Sequence, residues 1–207
     1  MPDRIVAGTY LVAAAMTGGE IQLTNVRPLD LFPFASYLTE MGCKLRAEDT
    51  SVYLNAPERL VAVPRIVTRV HPGFLTDMQS QFVAAMSIAE GIGEITETIF
   101  EGRYSHVQEL RKMGANIWLT ADKKTFIIDG VKRLRGATVK AHDLRCGAAL
   151  VLAGLAAEGE TIVNDIEFIE RGYADFERAL SSIGANIRLE ELPIPPEGES
   201  AALVQCA

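Results

Sequence analysis

The chain has 207 residues, of which 48% are hydrophobic, and its formal net charge is −7. This length suffices for a sizeable core in one domain, and the acidic balance argues against general nucleic-acid binding, so any anion site must come from locally placed arginines. Three scattered cysteines give neither a zinc pattern nor a disulfide framework, which indicates reduced thiols in a cytoplasm. No stretch reaches the roughly 18 uncharged residues of a membrane span, and the N-terminus lacks a secretory signal.

The first unit along the chain is predicted to cover about residues 1–62. Residues 3–8 are expected to form an opening strand, residues 9–19 a buried helix and residues 20–25 a second strand. The next helix is expected to begin near Phe32, because Pro33 is tolerated only in the first turn of a helix.

The same pattern returns in a second unit, about 63–134, and a third, about 135–190. Residues 74–91 and 142–159 are again apolar helices that stop at a glycine, and each is followed by a strand, an amphipathic helix and, in the second unit, a hairpin. Thr76 or Asp77 is a natural N-cap for the first of these helices, and Asp143 for the second.

This threefold repeat predicts the fold class. A helix that is apolar on nearly every side belongs in an interior, so three such helices must pack against one another with the sheets outward. We expect an α/β (α+β) domain over residues 1–190, built from three strand-helix-strand-helix-hairpin units, and a flexible, proline-rich tail over residues 191–207.

Charged residues at the mouths of these helices form the candidate site. Asp77 and Asp143 stand at equivalent helix starts, and Arg145 lies in a first turn, where the helix dipole disfavours a cation unless an anion is held there too. Arg103 and Arg171 occupy equivalent turns and could join it to bind phosphate or carboxylate groups. The alternatives are that the aspartates are only helix caps and that the arginines are solvated loop residues. The three histidines, His71, His106 and His142, are scattered, and we expect them to have no catalytic or metal-binding role.

Several motifs resemble the second half of the UDP-N-acetylglucosamine 1-carboxyvinyltransferase family, from Pro2 to about Glu190. The motifs are Pro2-Asp3-Arg4-Ile5 with Gly8-Thr9, Thr76-Asp77-Met78-Gln79-Ser80-Gln81-Phe82, Thr96-Glu97-Thr98-Ile99-Phe100-Glu101-Gly102-Arg103, Asp143-Leu144-Arg145 and Arg171-Gly172-Tyr173. The resemblance implies an enolpyruvyl-transferase-like domain of a cytoplasmic enzyme. That enzyme moves the enolpyruvyl group of phosphoenolpyruvate to the 3-hydroxyl of UDP-N-acetylglucosamine in peptidoglycan precursor synthesis, without a cofactor or metal.

The resemblance also implies individual roles. Asp77 would be the base that contacts the sugar hydroxyl, Ile99 would touch the sugar nucleotide through its backbone, and Asp143 would be a second active-site aspartate. The arginines would meet phosphoenolpyruvate or stabilise the closed state, with Arg145 acting in catalysis; these are Arg103, Arg145 and Arg171.

The departures from that family concern its other, N-terminal domain. Its phosphoenolpyruvate-binding lysine and its mobile loop with a proton-donating cysteine have no counterpart here, so this chain alone is expected to be inactive. A stretch from the extreme N-terminus of the family's chain also joins this domain, so a sheet edge is expected to be left unpaired and prone to pairing between chains. The alternatives are a non-catalytic sugar-nucleotide-binding module, or a domain like 5-enolpyruvylshikimate-3-phosphate synthase. The Thr76–Gln79 and Asp143–Arg145 motifs favour the sugar-nucleotide enzyme.

Overall fold

The computed structural model of the chain describes residues 2–191 and 202–206. Its first unit contains two helices and a three-stranded antiparallel sheet of order β1-β3-β2. The elements are α1 (Arg4–Met16), β1 (Glu20–Thr24), α2 (Pro28–Glu40), β2 (Lys44–Glu48) and β3 (Ser51–Asn55).

The opening strand predicted for residues 3–8 is wrong, because α1 already begins at Arg4. The carboxylate of Asp3 accepts hydrogen bonds from the backbone N–H groups of Ile5, at 2.7 Å, and Val6, at 3.3 Å. These two bonds satisfy donors that a helix start would otherwise leave unpaired. The helix therefore extends one turn further toward the N-terminus than the apolar pattern indicates.

The predicted start of the second helix near Phe32 is also wrong, since α2 begins at Pro28 and contains Pro33. Proline at the first helical position has a suitable fixed φ and no N–H to leave unsatisfied. Pro33 removes one bond from the helix interior, to the carbonyl of Leu29, while Phe34 and Leu38 stay fully buried. Burial of this apolar face outweighs the local cost of the proline.

The second unit has a sheet of order β4-β5-β7-β6, in which only the β4–β5 pair is parallel. Its elements are β4 (Arg65–Val67), a 3₁₀ turn (Thr76–Met78), α3 (Gln79–Met86), β5 (Ile92–Thr96), α4 (Ser105–Lys112), β6 (Asn116–Leu119) and β7 (Thr125–Asp129).

The third unit repeats this arrangement in a sheet of order β8-β9-β11-β10, again with a parallel pair, β8–β9. Its elements are β8 (Thr138–Lys140), α5 (Leu144–Leu155), β9 (Thr161–Asn164), α6 (Glu167–Glu170), α7 (Phe176–Ser182), β10 (Ile187–Glu191) and β11 (Ala202–Cys206).

The flexible tail predicted for residues 191–207 is wrong for β11, which pairs antiparallel with both β10 and β9. Leu203, Val204 and Cys206 are buried against the core, so this short apolar segment completes the third sheet just as β7 completes the second. Residues 192–201 and 207, also part of that prediction, lie outside the described residues.

The centre of the molecule is helical, as the repeat predicts, because α1, α3 and α5 pack against one another. Every residue of α3 is buried, and so are Cys146 to Gly154 of α5. The sheets lie outside these helices; in β6, for example, Ile117 faces inward and Trp118 is exposed.

One sheet edge differs among the units. Within the described ranges β1 pairs only with β3, whereas the equivalent strands β5 and β9 each have a second, parallel neighbour. Ile183, which follows α7, lies beside this edge and is 57% exposed, while the equivalent Met41 and Met113 are fully buried. The unpaired edge implied by the family resemblance is therefore present at β1.

No helix in the part of the chain that the structure describes is long and apolar enough to cross a membrane.

Candidate functional site

Asp77 lies at the mouth of α3 but does not cap it, which corrects the predicted N-cap. The 3₁₀ turn places Asp77 inside a helical turn, and the N-cap of α3 is Met78, without a side-chain bond. The carboxylate is thereby free to meet two guanidinium groups. Arg103 Nη1 donates to Asp77 Oδ1 at 3.0 Å, and Arg145 Nε lies 3.4 Å from the same oxygen.

These contacts determine the charge of Asp77. Partial burial would raise the pKa of its carboxyl group, but Arg145 and Arg103 outweigh that effect and hold the pKa below its usual range. The carboxylate is 39% exposed, so water and ligands reach it. Asp77 is therefore an accessible, ionised group balanced by two cations.

Arg145 has the neighbouring anion that its position in a first helical turn requires. It lies in the first turn of α5, near the positive end of the helix dipole, and the anion that stabilises it there is the carboxylate of Asp77. A second contact comes from Tyr173, whose hydroxyl oxygen accepts from Arg145 Nη1 at 3.5 Å. The residues come from α5, from the start of α3 and from the segment after α6, so all three contribute to one opening.

Asp143 does cap its helix. Its Oδ1 accepts from the backbone N–H groups of Arg145 and Cys146, both at 2.9 Å. Its Oδ2 accepts from Ser105 Oγ at 3.0 Å, which ties the start of α4 to the start of α5. The cap interpretation of this residue is confirmed, and the cap also fixes the backbone that carries Arg145.

Arg103 belongs to the loop that follows β5, and its side chain reaches the turn before α3. Its guanidinium donates to Thr76 Oγ1 at 2.9 Å and stacks 4.3 Å from the centroid of the Phe100 ring. Ile99, in the same loop, has a half-exposed side chain and a backbone N–H bound to Glu97 Oε1 at 2.8 Å. The loop from Glu97 to Tyr104 lines a cavity of about 330 Å³ with Lys123 and Lys124.

Arg171 is not brought into this cluster. It is exposed at the end of α6, where its guanidinium lies 5.1 Å from the centroid of the Phe168 ring, and it forms no ion pair with the described acidic residues. The structure therefore brings Asp77, Arg103 and Arg145 into direct contact and connects Asp143 to them through the backbone. Arg171 stays on the surface, two residues before Tyr173 in the sequence.

The sequence patterns predict no role for two polar residues of the site, Glu97 and Tyr173. Both lie inside the motifs that carry the family resemblance, and both are buried. A signal for Glu97 is its position directly after a buried strand, where a carboxylate requires hydrogen-bond donors. For Tyr173 the sequence offers no signal beyond its proximity to Arg171.

The described residues hold no group of three or more His, Cys, Asp or Glu side chains that could bind a metal ion. The three cysteines are free and buried, and burial raises the pKa of the Cys146 thiol to about 11.

Comparison with known proteins relates this chain to a family. Residues 1–180 match the family described as EPSP synthase (3-phosphoshikimate 1-carboxyvinyltransferase). A protein of Xylella fastidiosa (strain M23) named UDP-N-acetylglucosamine 1-carboxyvinyltransferase is 48% identical over 188 residues, which are 91% of this chain and 44% of that protein. A protein of Caldanaerobacter subterraneus named UDP-N-acetylglucosamine 1-carboxyvinyltransferase 2 is 48% identical over 187 residues, 90% of this chain and 44% of that one. The chain thus spans less than half the length of these relatives.

Solved structures agree on the fold. The enolpyruvyl transferase NikO from Streptomyces tendae superimposes with a TM-score of 0.81 at 26% identity, over 91% of this chain and 44% of that one. An EPSP synthase from Acinetobacter baumannii superimposes with a TM-score of 0.70 at 19% identity, over 99% of this chain and 45% of that one. The second likeness concerns the fold alone.

Proposed function

Since this chain belongs to the EPSP synthase (3-phosphoshikimate 1-carboxyvinyltransferase) family, we propose that it forms the substrate-clamping half of an enolpyruvyl transferase. The reaction we propose moves the enolpyruvyl group of phosphoenolpyruvate to the 3-hydroxyl of UDP-N-acetylglucosamine, with release of phosphate, as a step of peptidoglycan precursor synthesis. The names of the relatives at 48% identity support this choice of substrates. The partner it requires is the N-terminal half that those relatives contain.

The observation that carries the proposal is the pairing of Asp77 with two guanidinium groups at the mouth of the central helices. Arg103 and Arg145 each present several N–H donors, and such fixed forks suit the carboxylate and phosphate groups of phosphoenolpyruvate. They would also offset the negative charge of a tetrahedral intermediate. Asp77 would take the proton from the attacking sugar hydroxyl.

The ion pairs of Asp77 with Arg103 and Arg145 make its strength as a base depend on whether phosphoenolpyruvate is bound. A carboxylate whose pKa lies below its usual range is a weak base near neutral pH. An anion bound to Arg103 and Arg145 would compensate their charge, and the pKa of Asp77 would rise as a result. We propose that phosphoenolpyruvate thus prepares Asp77 to accept the proton.

Alone, the chain is proposed to lack turnover, because the lysine and the cysteine loop of the family resemblance belong to the other half. The cysteines present here offer no substitute for that proton donor. All three are buried, and burial raises their pKa values, to about 12 for Cys206 and about 11 for Cys43.

Two other functions remain as outcomes of the test: a non-catalytic module that binds sugar nucleotides, and a domain that acts on shikimate 3-phosphate. Isothermal titration calorimetry of the purified chain with UDP-N-acetylglucosamine, phosphoenolpyruvate and shikimate 3-phosphate separates them. We expect binding of the first two, and a loss of phosphoenolpyruvate affinity of at least about tenfold in Arg145→Met. Arg46→Met, on an exposed strand of the first sheet, is the matched control.

Binding of shikimate 3-phosphate in place of the sugar nucleotide would overturn the substrate assignment. Binding of the sugar nucleotide alone, with no response to phosphoenolpyruvate in either variant, would favour the non-catalytic module.

A further inference from the structure

The loop that carries Ile99 and the turn that carries Asp77 are joined by one buried carboxylate, Glu97, which is 5% exposed. We propose that Glu97 is a positioning residue that makes the sugar-nucleotide side and the phosphoenolpyruvate side of the site a single unit. The naming of those two sides rests on the function proposed above.

One oxygen of Glu97 holds the loop. Glu97 Oε1 accepts from the backbone N–H groups of Ile99 at 2.8 Å and Phe100 at 3.0 Å. It also accepts from Thr68 Oγ1 at 2.8 Å, and Thr68 Oγ1 in turn accepts from the backbone N–H of Thr98 at 2.7 Å. Three consecutive backbone N–H groups are therefore fixed directly or through one hydroxyl. The backbone at Ile99 cannot move independently of this carboxylate.

The other oxygen reaches the cationic side. Thr76 Oγ1 donates its only proton to Glu97 Oε2 at 2.8 Å, which leaves its lone pairs for Arg103 Nη1 at 2.9 Å. The same Nη1 atom donates to Asp77 Oδ1. The contacts thus run without a gap from Glu97 through Thr76 to the Arg103 guanidinium.

A carboxylate is required for this arrangement because every group around it is a donor. An ionised carboxylate accepts at both oxygens, whereas a glutamine would turn one of them into a donor group. That donor would face either the loop N–H groups or the hydroxyl of Thr76, and a buried donor facing a donor loses its bond. The substitution Glu97→Gln therefore changes hydrogen-bonding polarity with almost no change in shape.

The threefold repeat does not by itself explain why a glutamate occupies this position. The equivalent residues, directly after β1 and β9, are Asn25 and Asp165, and both have positive φ angles, of 56° and 59°. Asp165 forms an ion pair with Lys140 Nζ at 2.6 Å. Only the second unit, which carries Asp77, uses this position to join a loop to an arginine among the described residues.

Nuclear magnetic resonance of the full chain tests the proposal without any ligand. Two signals are followed: hydrogen exchange of the Ile99 and Phe100 amides, and the resolved Nη proton resonances of Arg103, which persist only while the guanidinium is held fixed. We expect Glu97→Gln to speed the exchange of both amides at least about tenfold and to remove the Arg103 signals. Glu94→Gln, in the strand β5 that directly precedes Glu97 and paired with exposed Arg65, should change neither.

A second variant tests the part of this chain of contacts that runs from Thr76 to Arg103. Thr76→Val keeps the shape of the side chain and the charge of the site, and we expect it to remove the Arg103 signals while the two amides stay protected. Thr76→Ser should restore them. If Glu97→Gln does not fold, the two Thr76 variants still test the contact between Thr76 and Arg103 on which the proposal depends. Unchanged Arg103 signals in Thr76→Val would then overturn it.

Calorimetry on the same variants adds the functional prediction. Glu97→Gln should weaken the binding of both UDP-N-acetylglucosamine and phosphoenolpyruvate. Thr76→Val should weaken the binding of phosphoenolpyruvate alone. Unchanged Arg103 signals in Glu97→Gln, with only the amides affected, would overturn the proposal and reduce Glu97 to a local loop clamp. Because the resonance signals need no substrate, they test Glu97 even if the proposed substrates do not bind.

Discussion

The ion pair between Asp77 and Arg103 allows a quantitative test of the site's electrostatics. The perturbation is a double-mutant cycle of Asp77→Asn and Arg103→Met, with unfolding by urea followed for all four proteins. A hydrogen bond to a charged group contributes about 1.5 to 3 kcal/mol to stability. The 39% exposure of the carboxylate and its second partner, Arg145, place this pair at the low end. We expect a coupling energy of about 1 to 1.5 kcal/mol at pH 7.

The pH dependence of the coupling energy provides a second test of the ion pair. The arginines hold the pKa of Asp77 below its usual range despite the opposing effect of burial, so the pair stabilises the folded state fully at pH values above the pKa of the unfolded chain. This stabilisation should disappear as the pH falls from about 4 through the lowered folded-state pKa. The exposed pair of Arg46 and Glu48 is the matched control, with a coupling energy below about 0.5 kcal/mol. A coupling energy near zero at pH 7, or one that does not decline in acid, would show that the two side chains do not form a stabilising ion pair.

Three further predictions concern activity, charge and packing. In a full-length enzyme, Asp77→Asn should lower turnover roughly a hundredfold or more with unchanged circular dichroism, and undiminished turnover would end its assignment as base. Burial lowers the pKa of His106 to about 4, so urea unfolding should reveal about 3 kcal/mol less stability at pH 4 than at pH 7. Much of that loss should be absent in His106→Gln and retained when exposed His71 is replaced instead. Leu150→Ala, at a fully buried position of α5, should cost about 2 to 5 kcal/mol, against less than about 0.5 kcal/mol for Leu29→Ala, whose side chain is 80% exposed; similar values would contradict the helical core.

The sequence predicts the central architecture because the signal there is repeated and strong. An apolar helix such as residues 144–155 has no polar face to expose, and three copies of that pattern leave helix packing as the way to bury them. Arg145 was identifiable for a related reason, since a cation in a first helical turn needs an anion close by. The structure confirms the helical core, and the anion that it places beside Arg145 is the carboxylate of Asp77.

The errors have local physical causes. The start of α1 depends on one capping carboxylate, Asp3, whose bonds to two N–H groups do not appear in an apolar pattern. The strand β11 follows a proline-rich segment, and its place is determined by pairing with β9 rather than by its own sequence. The sequence does not predict the role of Glu97, because that role depends on four hydrogen-bond donors that only folding brings together.

Reconstitution of the reaction from two halves tests whether this chain supplies one side of the active site. The chain is mixed with the complementary N-terminal half of the Xylella fastidiosa relative, and phosphate release from phosphoenolpyruvate is measured in the presence of UDP-N-acetylglucosamine. We expect release from the mixture, none from either half alone, and a severe loss when this chain carries Asp77→Asn. Phosphate release by this chain alone would disprove the proposed division of the active site between two halves. So would an inactive mixture under conditions in which the relative's own two halves regain turnover.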